Sequence, residues 1–238
     1  MAGLESRESG QVQSMFGGIA RRYDLLNHLL SGNMDRRWRR KAAAALPADD
    51  RAVILDLCGG TGDFGLEVLR QDRAGMVLCA DFTIPMLEVG RDKFQRQGVA
   101  DRCHPVGADG LRLPLRTGSV DGVTVGFGVR NFSNLSAGLR EIHRVLRPRG
   151  TLSILEFSRP TAPVLAGLYR FYLKQVLPRI GDSISRKDGP YGYLAATIGR
   201  FPDAPTLAGI VREAGFEMCD WTLLTGGIVA IHRAQKAG

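Results

Sequence analysis

Apolar residues recur along this chain with two periods. Between residues 52 and 158, short apolar runs alternate with helical stretches. Val53-Ile54-Leu55, Met76-Val77-Leu78-Cys79-Ala80, Gly122-Val123-Thr124-Val125 and Leu152-Ser153-Ile154-Leu155 read as buried strands, and a short strand near Cys103 to Val106 joins them. Phe64 to Gln71, Pro85 to Gln97 and Ala137 to Leu146 read as the helices between them. Strand then helix, repeated, with both strand faces apolar, predicts a parallel sheet covered on both sides. The ending differs: Phe216 to Thr225 and Ile228 to His232 are β-prone runs around Gly226-Gly227, the pattern of a hairpin. The predicted class is α/β: a doubly wound, Rossmann-like sheet, mostly parallel, with a C-terminal antiparallel hairpin.

The flanks are helical. Met15, Phe16, Ile19, Tyr23, Leu26 and Leu30 recur at three- to four-residue spacing, which predicts one buried helical face. Ser31-Gly32-Asn33 breaks that helix, and Pro47 ends the next. Pro163 to Ile180 carries Val164, Leu165, Leu168, Phe171, Tyr172, Val176 and Leu177 at helical spacing, with Arg170 and Lys174 between. Such a stretch suits an interfacial helix and is too short and charged to span a bilayer. The expected organisation is one domain over 1–238, with a helical cap at 1–48 and a helical insertion at 159–200.

Composition narrows the class. The 238 residues are 44% hydrophobic and 24% charged, enough for a core without disulfides and unlike a disordered chain. Cys58, Cys79, Cys103 and Cys219 are scattered, as are His28, His104, His143 and His232, so no metal site is expected. The polar start MAGLESRESG lacks the apolar stretch of a signal peptide, and cytoplasmic placement is the expectation. The net charge of +8 favours anionic partners. Basic residues gather between 159 and 200, including Arg159, Arg170, Arg179, Arg186 and Lys187. A second group, Arg36, Arg37, Arg39, Arg40 and Lys41 around Trp38, reads as a solvated basic surface.

The chemistry concentrates after the first strand. Asp56-Leu57-Cys58-Gly59-Gly60-Thr61-Gly62-Asp63 is a glycine-rich turn leading into a helix. Glycines there allow close approach of backbone to ligand. Gly60-x-Gly62-x-x-Gly65 matches GxGxxG, which both dinucleotides and S-adenosylmethionine use. Acids separate the two. Asp56, ahead of the glycines, would repel a pyrophosphate and attract an ammonium group. Asp81, after the second strand, can accept both ribose hydroxyls; Asp109, in Gly107-Ala108-Asp109-Gly110, stands where an adenine amino group would lie. Acids at successive strand ends suit a cationic, phosphate-free nucleoside and speak against a nicotinamide oxidoreductase.

These motifs resemble a known family. DLCGGTGD, the downstream acid and Arg147-Pro148-x-Gly150-x-Leu152 resemble class I S-adenosylmethionine-dependent methyltransferases. Tyr23-Asp24-Leu25-Leu26-Asn27-His28-Leu29-Leu30-Ser31 with Trp38, and Arg144 through Ser158, resemble the two signatures of the quinone-biosynthesis C-methyltransferases. Gly126-Phe127-Gly128-Val129-Arg130-Asn131 and Tyr191-Gly192-Tyr193-Leu194 are similar to that family as well. The resemblance covers nearly the whole chain. Asp35 stands where His is usual, Arg149 replaces Gly, Gly126 replaces Ser near the cofactor, and Leu26 replaces Met.

The resemblance implies C-methylation of a prenylated quinol, demethylmenaquinol first and a ubiquinone-type benzoquinol as the alternative. It implies S-adenosylmethionine as cofactor, with Thr61, Asp81, Asp109, Gly110 and Gly126 at cofactor-binding positions beside Asp56, Gly59, Gly60 and Gly62. A ring carbon becomes nucleophilic when the neighbouring phenol loses its proton, so a group favouring phenolate is expected. Arg130 and Asn131, after the fourth strand, are the first candidates; Arg130 is expected to act electrostatically, because a guanidinium is a poor base at neutral pH. Tyr23 and Asn27 are further candidates from the cap; His28 reads as a solvated side chain, and Glu156 as closing a network or capping. The cap and the 159–200 insertion are expected to form an apolar cleft for ring and tail. The partners admitted are the prenylated quinol, an anionic membrane surface at the inner face and a second copy of the chain. Nucleic acid is not expected: an RNA methyltransferase would carry an RNA-binding module or aromatic-basic interleaving beyond Trp38. A non-catalytic scaffold of the same fold is the reading from another class.

Overall fold

The computed structural model describes residues 17–176 and 190–238. Met15, Phe16, Leu177, Arg179, Ile180, Arg186 and Lys187 of the patterns above lie outside the described residues. Helix α1 covers 17–30 and α2 covers Met34–Ala43, with the break between them where Asn33 takes φ 61. Then β1 (Val53–Leu57), α3 (Asp63–Arg70), β2 (Met76–Asp81), α4 (Ile84–Arg96), β3 (Cys103–Gly107), β4 (Val120–Gly126), α5 (Leu135–Val145) and β5 (Leu146–Phe157) follow. Helix α6 (Pro163–Phe171) passes into a π-helical turn at Tyr172–Val176, a change of helix type within the stretch that the spacing predicts as one helix. After α7 (Pro190–Arg200) and α8 (Ala204–Glu213), the hairpin β6 (Met218–Leu224) and β7 (Val229–Gln235) closes the chain. Among the described residues, no helix is long and apolar enough to cross a membrane.

The seven strands form one sheet in the order β3-β2-β1-β4-β5-β7-β6. Strands β1 to β5 run parallel, and β7 lies antiparallel to both neighbours. Successive strand residues point to opposite faces. Thus Leu55 and Leu57 pack with Leu139, Ile142 and Leu207 on the face covered by α5 and α8. Ile54 packs with Ala42, Phe64, Val68 and Phe94 on the face covered by α2, α3 and α4. Ser153 Oγ donates to Ala42 O at 2.9 Å, fixing α2 against the sheet.

Arg147 to Gly150 form a bulge at the start of β5. Val120 pairs with Leu146 and Gly122 with Thr151, so residues 147–150 loop out. Arg149 sits there at φ 62, a left-handed conformation that costs a side-chain-bearing residue about 1–2 kcal/mol. Arg149→Gly is expected to stabilise the fold by up to about 1 kcal/mol in urea unfolding, since glycine's chain entropy offsets part of the gain. A loss of stability would show that the arginine's contacts outweigh its backbone.

Candidate active site

The glycine turn joins β1 to α3 at the carboxyl edge of the sheet, beside the point where strand order reverses between β1 and β4. Just past those two strands, Cys58 (φ 56) and Phe127 (φ 57) both adopt left-handed backbone, an uncommon strain for non-glycine residues. Gly60 (φ 57) gives its N–H to Asp81 Oδ2 at 2.9 Å, and Gly59 gives its N–H to Ala80 O at 3.0 Å. Asp81 also accepts from Thr83 N at 2.7 Å; burial raises its carboxyl against these bonds. Asp109 is exposed further along the rim, accepts from Leu111 N at 2.9 Å, and precedes Gly110. A Cβ on Gly126 would meet Phe64 Cδ1 at 2.9 Å, so this chain fills with a ring the space a side chain there would need.

Asp56 departs from its expected role. It is 0% exposed, and each of its oxygens is engaged within the protein. Oδ2 accepts Gly65 N–H at 2.9 Å and Oδ1 accepts the Thr124 hydroxyl at 2.9 Å. It therefore fastens β1, β4 and the start of α3, and does not face a ligand's ammonium group. Burial pushes its carboxyl up to about 7 despite those bonds. The folded state thus holds a proton that the unfolded chain releases near pH 4. The contribution of this group to stability is fullest below that pH and declines by a few kcal/mol, on the order of 1.4 per unit, as pH rises to about 7. Asp56→Asn is expected to remove that slope, read as the difference between the two proteins' unfolding free energies from pH 4 to 7.

The cap helices are tied to this turn by charge. From α1, Asp24 accepts the Thr61 hydroxyl at 2.5 Å and Lys93 Nζ at 2.6 Å; Lys93 also reaches Asp63 at 2.7 Å. His28 Nδ1 lies 2.7 Å from Asp35 Oδ2, Ser31 Oγ donates to Asp35 Oδ1 at 2.9 Å, and Arg39 pairs with the same carboxylate. Burial would raise Asp35, but Arg39 beside it holds it below the usual carboxylate range. His28 is therefore a partly buried, bonded side chain, not the solvated one expected, and the basic group around Trp38 divides. Trp38 and Arg39 are buried, and Trp38 Nε1 donates to Thr225 Oγ1 at 2.8 Å; Arg36, Arg37, Arg40 and Lys41 are exposed.

A cavity of about 370 Å³ opens beside the end of β4. Its walls come from α1, α2, α6 with its π-helical turn, and α7, and are mainly apolar: Ile19, Leu30, Met34, Trp38, Phe127, Phe157, Leu165, Leu168, Leu173, Leu194 and Ile198. Polar groups enter at Tyr23, Asn27, Asp35, Arg39, Arg130, Tyr169 and Tyr193. Arg130 Nη1 reaches Glu156 Oε1 at 3.0 Å, and the guanidinium lies 5.4 Å from the Phe157 ring centroid. Glu156 is fully buried, and burial raises its carboxyl against the pull of Arg130. Arg130, expected to act electrostatically, is thus one half of a buried ion pair with Glu156, and its Nε–H has no partner among the described residues. Asn131 accepts the Tyr193 hydroxyl at 3.2 Å. Burial raises the Tyr23 phenol, even with Asn27 bonded to it and Arg130 nearby. The structure therefore brings Tyr23, Asn27 and Arg130 to one cavity, with Asn131 adjoining through Tyr193. Sequence reading missed Tyr169 and Asp35 as cavity groups; the helical spacing that marked α6 as amphipathic put Tyr169 one step from Leu168, without distinguishing the face it lines.

The donor set at the turn fits S-adenosylmethionine better than a dinucleotide. Asp56 already occupies the Gly65 N–H near the start of α3, one of the donors a pyrophosphate would use. The nearby cation, Lys93, is held by two carboxylates. Sheet order, glycine turn and acid-lined rim define a class I S-adenosylmethionine-dependent methyltransferase. Solved structures agree on the fold. The cyclase SpnF matches with TM-score 0.72 at 19% identity, covering 96% of each chain. A SAM-dependent methyltransferase of Thermotoga maritima matches with TM-score 0.67 at 17% identity, covering 94% of this chain and 98% of its own. The chain belongs to the ubiE/COQ5 methyltransferase family, whose profile matches residues 4–236. The ubiquinone/menaquinone biosynthesis C-methyltransferase UbiE of Geobacter sp. (strain M21) is 40% identical over 232 residues, 97% of this chain and 98% of that one. UbiE of Pectobacterium atrosepticum is 39% identical over 226 residues, 94% and 90% of the two chains. The demethylmenaquinone methyltransferase of Corynebacterium kroppenstedtii is 38% identical over 226 residues, 95% and 94%.

Proposed function

We propose that this chain methylates the ring carbon of demethylmenaquinol, using the cavity beside β4 for the quinol and the glycine turn for the cofactor. The observation that carries this reading is the cavity itself: an apolar, aromatic-rich chamber with the Arg130–Glu156 pair in its wall at the cofactor edge of the sheet. A fused carbocycle with no alkoxy groups to pair suits walls built from Trp38, Phe127 and Phe157. When bound, S-adenosylmethionine supplies an electrophilic methyl group on a sulfonium. The protein's part is positioning and electrostatics. Asp81 accepts ribose hydroxyls, while Gly59, Gly60 and Gly62 let the turn approach the nucleoside; Thr61, Asp109 and Gly110 complete the contact. Arg130 favours the phenolate form of the quinol through its free Nε–H, with Asn131 orienting it. Tyr23 and Asn27 close the site from the cap and exclude water.

Incubation with labelled S-adenosylmethionine and either a demethylmenaquinol or a prenylated benzoquinol, under reducing conditions and read by mass spectrometry, tests the reading. Methylation of the naphthoquinol is the expected result. Transfer confined to the benzoquinol would move the assignment to ubiquinone synthesis, which the relatives' names also carry.

We infer that the enzyme works at the inner face of a membrane, where the prenyl tail of its quinol would be held. On α6, Val164 is 77% and Phe171 61% exposed; on α1, Leu25 is 67% and Leu29 60% exposed. Arg21, Arg22 and Arg170 are exposed on the same helices. Apolar side chains edged by arginines are the makings of a peripheral membrane surface. Flotation with anionic vesicles at low salt is expected and should weaken with salt; Leu25→Glu with Phe171→Glu should abolish it. Absence of flotation from the unmodified protein would remove the membrane part of the reading.

A further inference from the structure

The cavity holds a polar group that the described protein leaves unanswered. The Tyr169 hydroxyl oxygen is buried and has no hydrogen-bond partner among the described residues. Its neighbours in the wall are satisfied: Tyr172 donates to Leu30 O at 3.1 Å, and Tyr193 donates to Asn131 Oδ1 at 3.2 Å. An unpaired buried hydroxyl destabilises a fold, and phenylalanine would fill the same wall without that cost. The second buried donor in this state on the same cavity is Arg130 Nε–H, and the guanidinium is close enough for its charge to act on the Tyr169 phenol. Two residues that line one apolar chamber, Tyr169 on α6 and Arg130 just past β4, thus each carry a buried donor without a partner among the described residues. A ligand with two acceptors on one rigid ring would satisfy both.

We propose that Tyr169 is a substrate-binding residue that donates a hydrogen bond to the quinol oxygen para to the one facing Arg130. The inference rests on the quinol reading above and adds the second anchor that would fix the ring's orientation. One oxygen alone leaves the ring free to pivot. Two bonds hold the acceptor carbon on the cofactor side. Burial raises the Tyr169 phenol, which keeps it a donor at neutral pH.

The test compares ligands as well as proteins. Binding of a prenylated 1,4-naphthalenediol is measured anaerobically against the mono-ol that lacks the hydroxyl beside the prenyl-bearing carbon. The unmodified enzyme should prefer the diol by about tenfold, the scale of one good neutral hydrogen bond. Tyr169→Phe should bind both ligands alike, with KM for the diol raised and a melting temperature equal to or above the parent's. Tyr169→Phe keeping the full preference would overturn the assignment while leaving the quinol reading intact. So would an unmodified enzyme that binds diol and mono-ol equally, a comparison that decides even where the variant fails to fold. An unmodified enzyme that neither binds nor methylates the diol would overturn the quinol reading, and this inference with it.

Discussion

Replacing Arg130 with methionine is expected to lower kcat/KM for the quinol by about 10²–10³-fold and to destabilise the protein by about 3–5 kcal/mol. The two effects have different origins, and a second substitution separates them. The stability loss comes from Glu156, which is fully buried and would lose the guanidinium 3.0 Å from its Oε1. Burial already raises that carboxyl with the arginine present, so without it the group would take up a proton to remain buried. Converting Glu156 to glutamine in the same protein removes the need for that proton. The amide oxygen can still accept the Phe157 N–H that Glu156 accepts at 2.9 Å. Arg130→Met with Glu156→Gln should therefore recover stability to within about 1–2 kcal/mol of the parent, since a buried pair exchanged for neutral groups is close to neutral. Turnover should stay low, because the Nε–H that would meet the phenolate is gone from both variants. Recovery of turnover along with stability would show that Arg130 only balances Glu156.

Gly62→Ala is expected to cost about 2–5 kcal/mol in unfolding free energy and to weaken S-adenosylmethionine binding tenfold or more. Gly62 lies at φ 83, where a Cβ crowds the following carbonyl, and this backbone term alone amounts to about 1–2 kcal/mol. The added methyl would also stand 2.3 Å from Phe94 Cζ, a ring that is itself buried against α3 and the sheet. Overpacking of that kind typically costs about 1–3 kcal/mol. The ring cannot retreat without moving α4, so the turn moves instead, and Gly60 N–H shifts from Asp81. Adding Phe94→Leu should relieve the clash but leave the backbone strain, recovering part of the stability and little of the affinity. A Gly62→Ala protein within about 0.5 kcal/mol of the parent, binding the cofactor normally, would mean that the turn is not under the constraint its geometry describes.

The charge network on the cap shows why a position that departs from its family's usual residue is still well fitted here. Asp35 is buried to 2% exposure and serves Arg39, His28 and Ser31 together. A histidine in its place would leave Arg39 and His28 with only the more distant Asp63, whose Oδ2 lies 3.9 Å and 4.0 Å from them, as a countercharge. Arg149 and Gly126 differ in kind. The first carries backbone strain in a surface bulge, and the second leaves room that Phe64 takes.

Element order, the parallel sheet with its closing hairpin, and the glycine turn followed by Asp81 were legible in the sequence. They depend on periodicity and turn chemistry, which are local: whether apolar residues recur at two or at three to four, and whether a turn contains residues tolerant of positive φ. The tertiary structure alone decided that Asp56 turns inward to Thr124, 68 positions away, and that Arg130 is balanced by Glu156, 26 positions away. It also decided that Tyr169 sits in a cavity wall, its hydroxyl without a partner among the described residues. A polar side chain's role follows from how much water it keeps and which partner it meets. Both are set by the packing of segments distant along the chain, and no pattern within a single segment encodes them.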